Sequence, residues 1–88
     1  MPLSPAHAAL GRAVRQLRAE RDLSQEELGQ RAGLHRNYVG GVERGERNAA
    51  WAALLRLAAG LGVPLAELVA QAEAAGATAD ALAPPNTH

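Results

Sequence analysis

The chain has 88 residues, a mass of 9.1 kDa and no formal net charge, with nine arginines balancing nine carboxylates. That length fits one domain. It contains no cysteine, which excludes a disulfide staple and a cysteine-ligated zinc site. His7, His35 and His88 lie too far apart along the chain to form a metal motif. The neutral average hides an asymmetry. Residues 1–59 carry all nine arginines against six acids, while residues 60–88 carry three acids and neither arginine nor lysine. A polyanionic partner would therefore meet the first two thirds of the chain.

Alanine occurs 21 times, phenylalanine is absent, and Tyr38 and Trp51 are the only aromatic residues. Such a composition predicts an aliphatic core built from helices, because Ala and Leu are strong helix formers. The opening residues contain no basic leader followed by an apolar run. No stretch reaches the roughly 18 apolar residues that a membrane-spanning helix needs. This is the pattern of a soluble, cytoplasmic protein with no membrane partner.

Pro2 and Pro5 predict an irregular lead-in over residues 1–5. The first helix is expected from Pro5 or Ala6 to Arg21, where Leu10, Val14 and Leu17 form one apolar stripe flanked by Arg12, Arg15 and Arg18. Ser24 and Glu27 have the spacing of a capping box, which opens a second helix with Leu28 and Ala32 facing inward. Gly33 is the expected C-cap at positive φ, and Leu34 can plug the angle beyond it. A third helix follows from His35 or Arg36 to Arg44, with Val39 and Val42 inward and Gly45 as its stop. Gly40 and Gly41 in its middle should each cost about 1 kcal/mol relative to Ala. Asn48 is placed to cap a fourth helix carrying Leu54, Leu55 and Leu57, with Trp51 as a core or half-buried cap. Pro64 suits the first turn of a fifth helix that can reach Ala75. The helical domain thus occupies residues 6–75, and residues 76–88, with Pro84-Pro85, read as a flexible tail.

Two short helices joined by a turn at Gly33, the second with a polar outer face, suggest a helix-turn-helix reader of DNA. Four blocks sharpen that reading: LSQEEL over residues 23–28, RAGL over 31–34, YVGGVERGERN over 38–48 and LAAGLGVPLAEL over 57–68. In this order they resemble the Cro/C1-type helix-turn-helix domain, the Xre family, across about residues 9–70. The HRNYVGGVERGERN stretch further resembles the small controller proteins of restriction-modification systems. The resemblance implies an all-α, five-helix, lambda-repressor-like fold with the third helix in the major groove. It also implies a homodimer on a palindromic operator in double-stranded DNA.

Residue by residue, the resemblance places Arg36 and Asn37 at the base-facing start of the third helix. Arg can donate two bonds to guanine and Asn can pair with adenine. Gln25, first in the second helix, falls at a phosphate-binding position, where orphan N–H groups and the positive dipole end attract an anion. His35, Tyr38, Arg44, Arg47 and Asn48 are the further candidates for phosphate contacts, with an N-cap role also open to His35. Arg18 and Glu43 match a structural ion pair between the first and third helices. Gly40 and Gly41 depart from the family pattern of polar side chains there. They either let the helix approach the bases closely or carry no role in readout. Leu65, Leu68 and Val69 on the fifth helix are the candidate dimer seam, because they exceed what one small aliphatic core needs, with an ordinary core role also open to Leu65 and Leu68.

No GxxxxGK phosphate loop and no lysine are present, and Ser4 and Ser24 lack a histidine–acid arrangement. Asp22, Glu26 and Glu27 are explained by an exposed capping turn. The expectation is therefore a transcriptional regulator with no catalytic role, no cofactor and no metal. Two alternatives differ in partner. One is the antitoxin of a toxin-antitoxin pair, which would also bind a toxin. The other is a protein-interaction module that kept the fold.

Overall fold

The computed structural model describes residues 1–83, so residues 84–88 of the expected tail lie outside the described residues. Five α-helices follow in order: α1 (Pro5–Glu20), α2 (Gln25–Ala32), α3 (Arg36–Glu43), α4 (Trp51–Leu61) and α5 (Leu65–Ala74). A short 3-10 turn, Ala79–Ala81, comes after them, and no strand occurs among the described residues. The fold is all-α, as expected. α1 packs across both α3 and α5, and α2 packs against α3 and α4.

Local chemistry accounts for the boundaries. Ser4 caps α1 by accepting from the His7 backbone N–H, and Pro5 takes the first helical position, where no N–H is required. The α2 capping box is complete: Ser24 accepts from the Glu27 N–H at 3.0 Å, and Glu27 accepts from the Ser24 N–H at 2.9 Å. Gly33 ends α2 in the left-handed region at φ 71°, and Leu34 N–H returns to the Gly29 carbonyl at 2.9 Å. This sharp reversal sets α3 at an angle to α2. Gly62 closes α4 in the same way, at φ 73°.

The core is aliphatic. Val14, Leu28, Val39, Leu57 and Leu68 are all 0% exposed, and Val42 and Leu61 complete the set. One consequence bears on the site. α1 approaches the end of α3 so closely at Gly11 that a side chain there would run into the Val42 and Glu43 carbonyls.

Three expectations are corrected. Asn48 does not cap α4. The N-cap is Ala50, with no side-chain bond, and the Asn48 Oδ1 lies instead 3.2 Å from His7 Nε2. Trp51 is neither core nor half-buried: it is 66% exposed on the first turn of α4. Leu68 is fully buried among core residues, so its side chain is spent inside the protomer and cannot supply a dimer seam. The helical spacing that singled it out serves α5 packing on the core.

Candidate nucleic-acid interface

The site is organised around one buried ion pair. Arg18 Nε donates to Glu43 Oε2 at 2.6 Å and Nη2 donates to Oε1 at 2.9 Å, a two-pronged fork. The third guanidinium nitrogen, Nη1, donates to the Leu23 carbonyl at 2.8 Å, tying in the α1–α2 connection. The Glu43 side chain is 3% exposed and that of Arg18 is 16% exposed. Hydrogen bonding to Glu43 raises the Arg18 guanidinium above its ordinary value, against the opposing cost of burial.

Gln25 joins this pair. Its Nε2 donates to Glu43 Oε1 at 3.0 Å, so the same carboxylate anchors α1, the first residue of α2 and the end of α3. The amide is thereby held in one orientation, with its second N–H still available. The Gln25 side chain at the α2 N-terminus is thus fixed by Glu43 rather than left mobile.

Arg36 and Asn37 are exposed at the first turn of α3. His35 caps that helix: its Nδ1 accepts from the Asn37 N–H at 3.0 Å. With Nδ1 used as an acceptor, the proton of the neutral ring lies on Nε2. Arg36 Nη1 lies 3.3 Å from Glu26 Oε2, an exposed contact across the α2–α3 angle.

The two glycines of α3 have a physical role. Both are buried, although they lie on the same side as exposed residues. A Cβ on Gly40 would sit 3.0 Å from Arg44 Nη1 and 3.3 Å from Gln25 Oε1. A Cβ on Gly41 would sit 2.7 Å from Arg47 Cγ. The glycines therefore form a trough over which Gln25, Arg44 and Arg47 lie. Arg47 continues to the Tyr38 ring, its guanidinium carbon 5.3 Å from the ring centre, a cation–π distance. Tyr38 itself packs partly against the core.

Arg44 Nε donates to Glu46 Oε1 at 2.9 Å. That bond first, then the α-amino group of Met1 at 2.9 Å, lowers the Glu46 carboxyl from 4.5 to about 2. Asn48 is exposed beyond this loop and is tied to α1 through His7. Asn48 Oδ1 can only accept, so in the neutral ring the His7 hydrogen lies on Nε2 and Ser4 Oγ–H donates to Nδ1 at 2.6 Å.

Gln25, Arg36, Asn37, Arg44 and Arg47 thus come together around the α2–α3 angle and the α3 face. The seam candidates do not act as a set: Leu68 is buried, Leu65 is half-buried against the core, and Val69 is 39% exposed. Sequence reasoning missed the pairing of Glu26 with Arg36. The two lie ten residues apart on different helices, and only the Gly33 reversal brings them together. It also missed Leu55, 44% exposed one turn beyond Trp51. No group of three or more metal-ligating side chains occurs among the described residues.

Residues 9–72 match the family described as helix-turn-helix domain, and the chain belongs to that family. Within it the chain is of the Cro/C1 type. It is 43% identical over 60 residues to Control protein C.SmaI of Serratia marcescens, covering 68% of this chain and 71% of that protein. It is 40% identical over 60 residues to the cryptic phage CTXphi transcriptional repressor RstR of Vibrio cholerae, covering 68% of this chain and 54% of RstR. Among solved structures, the restriction-modification controller protein C.AhdI from Aeromonas hydrophila superposes with a TM-score of 0.69 at 45% identity, covering 70% of this chain and 94% of that one. The clp gene regulator ClgR of C. glutamicum gives 0.76 at 26% identity, covering 86% of this chain and 96% of that one.

Proposed function

We propose that this chain is a sequence-specific transcriptional regulator, resident in the cytoplasm, that binds duplex DNA as a homodimer on a palindromic operator. One observation carries the reading. A glycine-set reversal presents Arg36 and Asn37 from the open first turn of α3, beside the α2 N-terminus where Gln25 is fixed by Glu43. Base-reading side chains and an anion site then share one surface, which is what a major-groove helix needs. The names of the relatives, control proteins and a transcriptional repressor, point the same way.

The second copy has a different seat from the one α5 alone suggested. Trp51, Ala52, Leu55 and Ala59 form the exposed face of α4, with Arg56 as its only charge. Leu54 beside them and Val69 of α5 line one apolar groove of about 400 Å³. A two-fold contact sets each surface against its own copy, so a nearly uncharged apolar face suits it. Selection of bound sites from a random duplex library tests the whole reading. The expected result is a palindromic motif whose half-sites lie about 10 base pairs apart, one helical turn. Recovery of no motif, or of a lone half-site bound as tightly as the pair, would sink it.

A further inference from the structure

Two of the three arginines on the proposed DNA-binding face carry ion pairs, and Arg47 lies against the Tyr38 ring instead. Arg36 is paired with Glu26 at 3.3 Å and Arg44 with Glu46 at 2.9 Å. Both members of the first pair are more than half exposed, at 62% and 60%. Such a pair adds little to folding stability, because solvent screens it and ordering two long side chains has an entropic cost. Glu26 also stands in the first turn of α2, where Glu27 already completes the capping box. It is therefore surplus to capping, and it places a negative charge beside the site where a DNA phosphate would dock. For a protein whose task is to bind a polyanion, that placement needs a reason.

We infer that Glu26 is a specificity-determining residue: it cancels the attraction of Arg36 for phosphates while leaving intact the directional bonds Arg36 can give to a base. The inference rests on the DNA-binding reading above. Sequence-blind affinity for DNA comes from cations that release counterions from phosphates. A neutral Arg36–Glu26 pair releases none. A fork of two hydrogen bonds to a guanine edge depends on short-range geometry, and Arg36 can rotate from Glu26 to make it, since the contact it leaves is long and solvated. Glu26 thus lowers binding to wrong sequences more than to the right one.

The test compares the wild type, Glu26→Gln and Glu67→Gln on two duplexes of equal length. One carries the site selected by the wild type and the other has random sequence. Glu67→Gln makes the same change in net charge on α5, away from the α2–α3 face. Glu26→Gln should bind random duplex roughly fivefold more tightly for each protomer on the DNA, the scale of one unit charge a few ångströms away in water. Its logarithmic salt slope on random duplex should steepen by about one unit per bound protomer, the signature of an additional phosphate contact from each. The selected site should gain less, so the ratio of specific to random affinity falls, whereas Glu67→Gln leaves that ratio as it was. Equal gain on both duplexes, or no gain on random duplex, overturns the inference while DNA reading stands. A changed base preference on re-selection also overturns it, since Glu26 would then contact a base itself. Failure of the wild type to select any site removes the DNA reading, and this inference with it.

Discussion

At the scale of single residues, Arg36 and Gly40 test the proposed base contact apart from the shape of the surface that presents it. Arg36→Ala is expected to weaken the selected site by about 1–3 kcal/mol per half-site, the worth of a two-pronged base contact, with a smaller loss on random duplex. Equal losses on both, measured by titration, would make Arg36 a phosphate contact. Gly40→Ala should have a different outcome. The added methyl meets the flexible end of Arg44 at 3.0 Å and the Gln25 amide oxygen at 3.3 Å, so small shifts of these two side chains absorb it while the Gln25–Glu43 bond holds. Ala in mid-helix should raise stability by roughly 0.5–1 kcal/mol. DNA binding should nevertheless weaken on every sequence, because both side chains are displaced. A melting temperature that falls along with binding would show that the trough is part of the core.

At the scale of elements, the link between α1, α2 and α3 passes through Glu43. Removing Arg18 leaves a carboxylate with 3% exposure and Gln25 as its remaining side-chain partner. Arg18→Ala is therefore expected to cost about 3 kcal/mol. Denaturant melts of Arg18→Ala, Glu43→Ala and the double mutant should be strongly non-additive, and simple additivity would deny the coupling. The capping box gives α2 a dependence on acid. Hydrogen bonds from the Ser24 backbone first, then from its hydroxyl, hold the Glu27 carboxyl below its ordinary 4.5. A carboxyl with a depressed folded value stabilises the native state above pH 4.5, and that contribution is lost as the pH falls below it. Glu27→Gln can still accept from the Ser24 N–H but cannot titrate. Its melting temperature should fall less between neutral and acid pH than that of the wild type. Parallel curves would contradict this.

The five helices were legible because their signals are local: a capping box, glycine stops, and apolar residues three and four apart. Arg36, Asn37 and Gln25 were legible as site candidates only through the resemblance of their motifs to the helix-turn-helix family. What escaped was whatever depends on the packing angle between helices. Asn48 looks like a cap by residue type, yet the chain continues two residues before turning helical, and His7 of α1 takes its oxygen. Leu68 and Trp51 are both large and apolar, and periodicity does not say which side of a small bundle has run out of partners. The trough at Gly40 and Gly41 is visible only once Gln25 and Arg47 arrive from outside α3.

For the whole molecule, the exposed α4 face has an optical consequence. Trp51 is the only tryptophan, and it lies outside a core whose buried members are all aliphatic. Its fluorescence therefore reports on the surface and not on folding. In a dilute protomer its emission should be that of a water-exposed indole, shifting little when denaturant unfolds the helices. As protein concentration rises and two α4 faces close on each other, the emission should move to shorter wavelength in step with the sedimentation coefficient. A blue shift absent at concentrations where sedimentation shows dimers would place the seam elsewhere. The residue least useful for following the fold would then be the natural reporter of assembly, needing no attached dye.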